Sequence, residues 1–148
     1  MIDEADPART PLLLLDTHTL VWSINEGPKL GKGAMESIRV AGDEGCVLVS
    51  AITPWEVALL VSKGRLTLGA DVMAWVRDAL TIPGLTLVPL EPEIVVASTR
   101  LPFEMHGDPA DRILVATARH LGATLVTADK ELLEIARQGH FVGMDAAA

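Results

Sequence analysis

Residues 12–16, LLLLD, set four consecutive leucines against a carboxylate, and this segment limits the fold more than any other. The run is too short for a helix and too apolar for a strand with one wet face. It therefore predicts a strand buried on both faces, as in a parallel sheet. Three further strands are expected at Cys46 to Ser50, Leu85 to Val88 and Thr124 to Val126, with a short last one at Phe141-Val142.

Helical patterns fill the intervals. Thr17 to about Glu26 is the first, ended by Gly27-Pro28, and about Lys32 to Val40 is the second, running into the turn Gly42-Asp43-Glu44-Gly45. Thr53-Pro54-Trp55-Glu56 predicts a helix start with a capping box and an early proline, and Gly64 follows the end of that helix. Val72, Trp75, Val76 and Ala79 give Asp71 to Leu80 one apolar face, stopped by Pro83-Gly84. Pro92 to Leu101 is expected to be helical. Asp108-Pro109 then opens a long helix reaching about Leu121 and closed by Gly122, and Asp129 to Arg137 forms the last. Strands alternating with helices imply an α/β fold with a central parallel sheet of four or five strands, helices on both faces and right-handed crossovers.

At 148 residues the chain fits one domain. Residues 1–11 are expected to be a disordered or extended segment, 12–143 the folded domain, and 144–148 a structureless tail. With 49% apolar and 22% charged residues and no apolar run near the ~18 residues that span a bilayer, a membrane protein is excluded. The opening MIDEADPART lacks the features of a secretory signal, and Cys46, the only cysteine, sits in an apolar run where a buried small hydrophobe is expected. The cytoplasm is the expected compartment. A net charge of −8 argues against a broad basic face for nucleic acid, so any phosphate substrate must be met locally, and it favours a basic partner.

Asp16, Glu56, Asp111 and Asp129 all stand where a predicted strand gives way to a predicted helix. Each has a local explanation: Asp16 can cap the helix at Thr17, Glu56 can complete a capping box with Thr53, and Asp111 and Asp129 suit the positive end of a helix dipole. Asp108 before Pro109 is expected to be a cap first and an outer-shell residue second. Local capping leaves unexplained why the first, second and fourth strands all lead into carboxylates. The carboxyl ends of parallel strands share one edge, so these groups can converge. Carboxylates ~5 Å apart repel by about 3 kcal/mol per pair at an effective dielectric near 20, more than a helix cap typically contributes. Protonation or a divalent cation must offset that, and an all-oxygen donor set selects Mg²⁺ or Mn²⁺ over zinc. Magnesium favours phosphate oxygens, which implies phosphodiester or phosphoryl chemistry with water as nucleophile.

Other polar residues carry two readings each. Thr127 can orient a metal-bound water or cap the next helix, and Ser50 shares that ambiguity. Arg112 can steer a phosphate, although a structural ion pair is its default role. Lys63 and Arg65, flanking Gly64, form the best small basic patch for a phosphodiester backbone, against the default of a solvated helix end. His18 and His106 are lone and receive no catalytic assignment. Trp22, Trp55 and Trp75 are expected in the core or at an interface.

The ordered motifs LLLLDTHTLVW, SAITPWEVALLVSKGRL, HGDPADRILVATAR and GATLVTADKEL resemble the PIN-domain ribonucleases, and most of all the VapC-type toxins of bacterial toxin-antitoxin pairs. That resemblance covers nearly the whole chain after about residue 11. It implies a three-layer α/β/α fold and assigns Asp16, Glu56, Asp111 and Asp129 to a quartet that binds Mg²⁺ or Mn²⁺ and activates water for RNA cleavage. It also implies a homodimer and a small, DNA-binding antitoxin with a segment lying over the active site. Two other readings stand beside it. One is a haloacid-dehalogenase-like phosphotransferase or phosphatase with Asp16 as nucleophile, although such enzymes carry a second Asp where this chain has His18. The other is a catalytically silent module that binds a partner through its apolar helices.

Overall fold

A computed structural model describes residues 10–148; residues 1–9, which hold most of the segment expected to be disordered or extended, lie outside the described residues. Along the chain run β1 (Leu13–Leu15), α1 (Thr17–Asn25), α2 (Lys32–Asp43), β2 (Val47–Ser50), α3 (Ile52–Ser62) and α4 (Val72–Leu80). Then follow β3 (Leu85–Val88), α5 (Pro92–Ser98), α6 (Pro109–Leu121), β4 (Thr124–Thr127), α7 (Lys130–Arg137) and β5 (Val142–Asp145). The strands form one five-stranded sheet in the order β3-β2-β1-β4-β5, and every neighbouring pair is parallel.

The leucine run explains the layering. Leu13, Leu14 and Leu15 are all essentially inaccessible, and the twofold alternation of a strand sends them to opposite faces. Leu13 and Leu15 join Val47, Val49 and Val126 in a core covered by α1 to α4 through Leu20, Val21, Ala34, Val57, Trp75 and Val76. Leu14 joins Leu48, Val88 and Leu125 in a second core beneath α5 to α7, closed by Ile94, Leu114, Val115, Leu132 and Ile135. Each fully buried leucine contributes roughly 1.5–3 kcal/mol. The result is the expected three-layer α/β/α sandwich. Among the described residues no helix is long and apolar enough to cross a membrane.

Several local expectations are corrected. The capping box at Thr53 and Glu56 does not form: α3 begins at Ile52 after Ala51, and Thr53 lies buried inside the first turn with its hydroxyl unpartnered. Ser50 Oγ instead accepts from the Ile52 N–H at 3.1 Å. Helix α2 runs on to Asp43, where Arg39 links Glu36 at i+3 spacing and Asp43 at i+4 spacing. Helix α5 stops at Ser98, before the expected Leu101, and the freed Ser98 carbonyl accepts from Arg112 Nε at 2.8 Å. Glu26, at φ 51°, ends α1 in the left-handed conformation one residue ahead of Gly27. Residues 144–148 are not a structureless tail. Met144 and Asp145 belong to β5, Ala146 is fully buried, and its carbonyl accepts from the Gly31 N–H at 2.8 Å. Cys46 is half-buried just ahead of β2, packed against the first core.

Two glycines at positive φ separate backbone freedom from close approach. Gly64 (φ 70°) faces open space, whereas a Cβ on Gly84 (φ 86°) would collide with the Gly42 carbonyl. Gly64→Ala is expected to cost about 1 kcal/mol, the conformational penalty alone. Gly84→Ala is expected to cost about 2–4 kcal/mol, because two backbone segments must separate. Urea unfolding of both variants checks this; equal losses would place the cost in φ and not in the contact.

Candidate metal centre

The winding of the sheet reverses at β1. The chain moves outward through β2 and β3, then returns to place β4 on the other side of β1, so the crevice at the carboxyl ends of β1 and β4 is the natural ligand position of an open α/β sheet. A cleft of about 360 Å³ lies there, lined by Asp16, Glu56, Asp108, Asp111 and Asp129 together with His18, Trp22 and Leu60.

Asp16 follows β1 directly. Its backbone N–H donates to the Val126 carbonyl of β4 at 3.2 Å, and its Oδ1 caps α1 by accepting from the Thr19 N–H at 2.9 Å. Glu56 stands one turn into α3 and accepts a short hydrogen bond from the Thr17 hydroxyl, so the side chain that was to close a capping box reaches across to α1 instead. Asp108 caps α6, with Oδ1 accepting from the Asp111 N–H at 3.1 Å. Asp129 caps α7, with Oδ1 accepting from the Leu132 N–H at 3.0 Å, and its own N–H donates to the buried Thr127 hydroxyl at 3.1 Å. Thr127 thus orients Asp129 through the backbone.

Three carboxylates are therefore caps and cleft residues together. Each cap uses one oxygen, and no described residue hydrogen-bonds the other. Helices α1, α6 and α7 present their positive ends to the same cleft, which favours negative charge there.

Distances divide the cluster around Asp111. Oxygens of Glu56, Asp108 and Asp111 lie within 4.8 Å of one another, and so do donor atoms of His106, Asp111 and Asp129. Asp16 lines the same cleft outside both groups. Among the described residues no Lys or Arg forms an ion pair with any of them. Burial, then the neighbouring carboxylates led by Asp108 and Glu56, push Asp111 up to about 7. Burial also raises Glu56, partly opposed by its hydrogen bond from Thr17. Without an added positive charge the cluster retains protons. An all-carboxylate set of this kind fits a hard divalent cation.

The remaining candidates are dispersed. Arg112 makes neither the ion pair nor the phosphate contact expected of it: Nε donates to the Ser98 carbonyl and Nη1 to those of Met105 and His106, fastening the α5–α6 loop. Lys63 and Arg65 are exposed at the end of α3. Trp75 is in the core, Trp55 is 51% exposed, and Trp22, expected in the core or an interface, borders the cleft beside His18 and beneath the Lys29 ammonium. Two further residues stand at this cluster: His106, set aside in the sequence as lone, and Glu131, which sequence reasoning missed. His106 Nε2 lies 3.4 Å from Asp111 Oδ2 and 3.5 Å from Glu131 Oε2. A histidine two residues ahead of a capping aspartate was the available signal for the first; nothing in the sequence singled out the second.

Known proteins are similar to this chain in sequence and in fold. The chain is 32% identical over 120 residues to Ribonuclease VapC22 of Mycobacterium tuberculosis (strain ATCC 25618 / H37Rv), covering 81% of this chain and 88% of that one. Its fold is similar to the VapBC2 structure from Rickettsia felis bound to a promoter DNA fragment, with TM-score 0.65, 17% identity, and 89% and 96% of the two chains covered. It is similar also to DNA-bound VapBC from Salmonella typhimurium, with TM-score 0.63, 19% identity, and 90% and 96% covered. The PIN domain profile matches residues 13–138, and the chain belongs to the PIN domain family.

Proposed function

We propose that this protein is a metal-dependent endoribonuclease, the toxin of a toxin-antitoxin pair. One observation carries the reading: carboxylates from four separate elements converge on one cleft at the sheet's switch point, unpaired by Lys or Arg among the described residues. Family membership and the 32% identity to a ribonuclease direct that chemistry to RNA.

Asp16, Glu56, Asp111 and Asp129 would hold Mg²⁺ or Mn²⁺, with Asp108 and Thr127 in supporting positions. When bound there, the cation would supply Lewis acidity toward a phosphoryl oxygen and lower the pKa of an attacking water. The protein's own contribution is placement. The caps fix the Asp16 and Asp129 carboxylates on helix ends packed into the core, and the Thr17 hydroxyl fixes Glu56. Lys63 stands seven residues beyond Glu56 on α3, about 10 Å along the axis and past Leu60 of the cleft wall, where it can meet an RNA phosphate with Arg65. A single-stranded segment suits this cleft, because an unstacked backbone can approach a narrow acidic centre that a duplex cannot enter.

An antitoxin partner is supported by the similar structures, which are VapBC proteins bound to DNA. A homodimer is supported by apolar side chains left exposed, among them Trp55, Met73 and Leu87. The phosphotransferase alternative gains nothing: the exposed His18 occupies the place of the required second Asp. A silent module leaves the unpaired carboxylates without a purpose.

Asp16→Ala is expected to lower Mn²⁺-dependent cleavage of single-stranded RNA more than about 100-fold, since even outer-shell partners of a metal are worth 10–100-fold. Chelator should abolish the wild-type activity, and circular dichroism should show the variant folded. Cleavage that persists at the wild-type rate in Asp16→Ala would falsify the assignment.

The raised Asp111 carboxyl gives a stability test. Its folded value is about 7 against an ordinary 3.8, so between those values the folded chain binds more protons than the unfolded one, and stability falls as pH rises. In chelator, the Tm is expected to increase on going from pH ~7.5 to ~5, with Asp111→Asn flattening the profile. A wild-type profile no steeper than that of Asp111→Asn contradicts it.

A further inference from the structure

We infer that His106 is a positioning residue that holds Asp111 as an Nε2–H donor and is not itself a metal ligand; this deepens the metal-centre reading and rests on it. Distance alone suggests the opposite, because His106, Asp111 and Asp129 place one nitrogen and two oxygens within 4.8 Å of one another. The second ring nitrogen decides between the two roles. His106 Nδ1 accepts a hydrogen bond from the Asp108 backbone N–H at 3.2 Å.

A neutral imidazole carries one N–H and one lone pair in the ring plane. With the Nδ1 lone pair engaged by a backbone donor, the proton sits on Nε2. To offer Nε2 to a cation, the ring would have to move that proton to Nδ1, setting two N–H groups against each other. The Nε2–H therefore faces Asp111 Oδ2, 3.4 Å away on α6, and Glu131 Oε2, 3.5 Å away on α7, at the long limit of donor contact and without a formed hydrogen bond to either. It spans the two helices that frame one side of the cleft.

The ring is also held from behind. Arg112, the residue after Asp111, donates through Nη1 to the carbonyls of Met105 and His106, and through Nε to that of Ser98. The helix turn that carries Asp111 thus anchors the loop that carries His106, and the imidazole in turn restrains the Asp111 carboxylate. Asp111 is the residue shared by this group and the all-oxygen group of Glu56 and Asp108, so a restraint on its carboxylate acts on both.

Isothermal titration of the full chain tests the assignment. His106→Ala is expected to weaken Mn²⁺ binding by about 10–100-fold, the size of an outer-shell loss, and Ni²⁺ binding by a similar factor. Loss of a true imidazole ligand would penalise Ni²⁺ far more than Mn²⁺. His106→Gln, which keeps an N–H donor, should recover part of the affinity. Independently of any variant, ¹⁵N NMR of the wild-type protein should find His106 as the Nε2–H tautomer before and after Mg²⁺ is added. An Nδ1–H tautomer, or a loss confined to Ni²⁺, overturns the inference. If the wild type binds Mn²⁺ and His106→Ala binds it as tightly, this inference alone falls; if the wild type binds neither Mn²⁺ nor Mg²⁺, it falls together with the metal-centre reading.

Discussion

Everything in this fold follows from a three-residue strand that cannot touch water. Leu13, Leu14 and Leu15 are inaccessible on both faces, so β1 needs a helix layer above and below and a hydrogen-bonded strand on each side. A parallel sheet can satisfy both edges of its first strand only if the chain winds outward on one side and later returns to the other. That return opens the crevice between the ends of β1 and β4. The candidate cleft is thus a topological consequence of burying a strand of three leucines, and Asp16 lines it as the first residue that the strand leaves behind.

Electrostatics in that crevice is a contest between fixed dipoles and mutual repulsion. Three helix N-termini face it, each worth up to ~1 kcal/mol to a nearby carboxylate, whereas each close carboxylate pair costs about 3 kcal/mol. Repulsion together with burial wins at the centre, where Asp111 is raised to about 7, and Glu56 is raised with it. Backbone dipoles alone therefore do not neutralise the cluster. On a chain of net charge −8, the attraction for RNA must come from what the cleft binds and from a few cations at its margin, not from the surface at large.

Much of this was legible from the chain because periodicity and punctuation report on burial and backbone conformation. The order of strands and helices, the extent of α6 from Pro109 to Leu121, and the capping roles of Asp16 and Asp108 follow from local rules, and they appear as expected; Asp129, placed by the sequence in the first turn of α7, is instead its cap. Failures arose where a tertiary contact outbid a local one. Glu56 abandoned Thr53 for Thr17, thirty-nine residues away in sequence, and Arg112 spent its guanidinium on three carbonyls of a loop that periodicity treated as featureless. The last residues looked structureless because alanines carry no pattern, yet a strand partner and the close approach of Gly31 fix them. His106 looked lone in the sequence because Asp111 and Glu131 approach it only in the fold, and no sequence pattern encodes which ring nitrogen faces which group.

Caps and candidate metal ligands were posed as competing explanations for the same carboxylates, and the geometry removes the competition. A carboxylate has two oxygens; Asp16, Asp108 and Asp129 each commit one to a helix N-terminus. The cap then does for the candidate site what a rigid scaffold must do, since it holds the side chain in one rotamer on an element packed into the core. Asp111 differs because its helix does not need it as a cap. It is restrained from outside, by His106 on one side and crowded by Glu56 and Asp108 on the other, and it carries the largest resolved carboxyl shift. The residue with the least local purpose sits at the junction of both donor groups. Its position has to be explained by what the carboxylates hold together, because helix stability does not explain it.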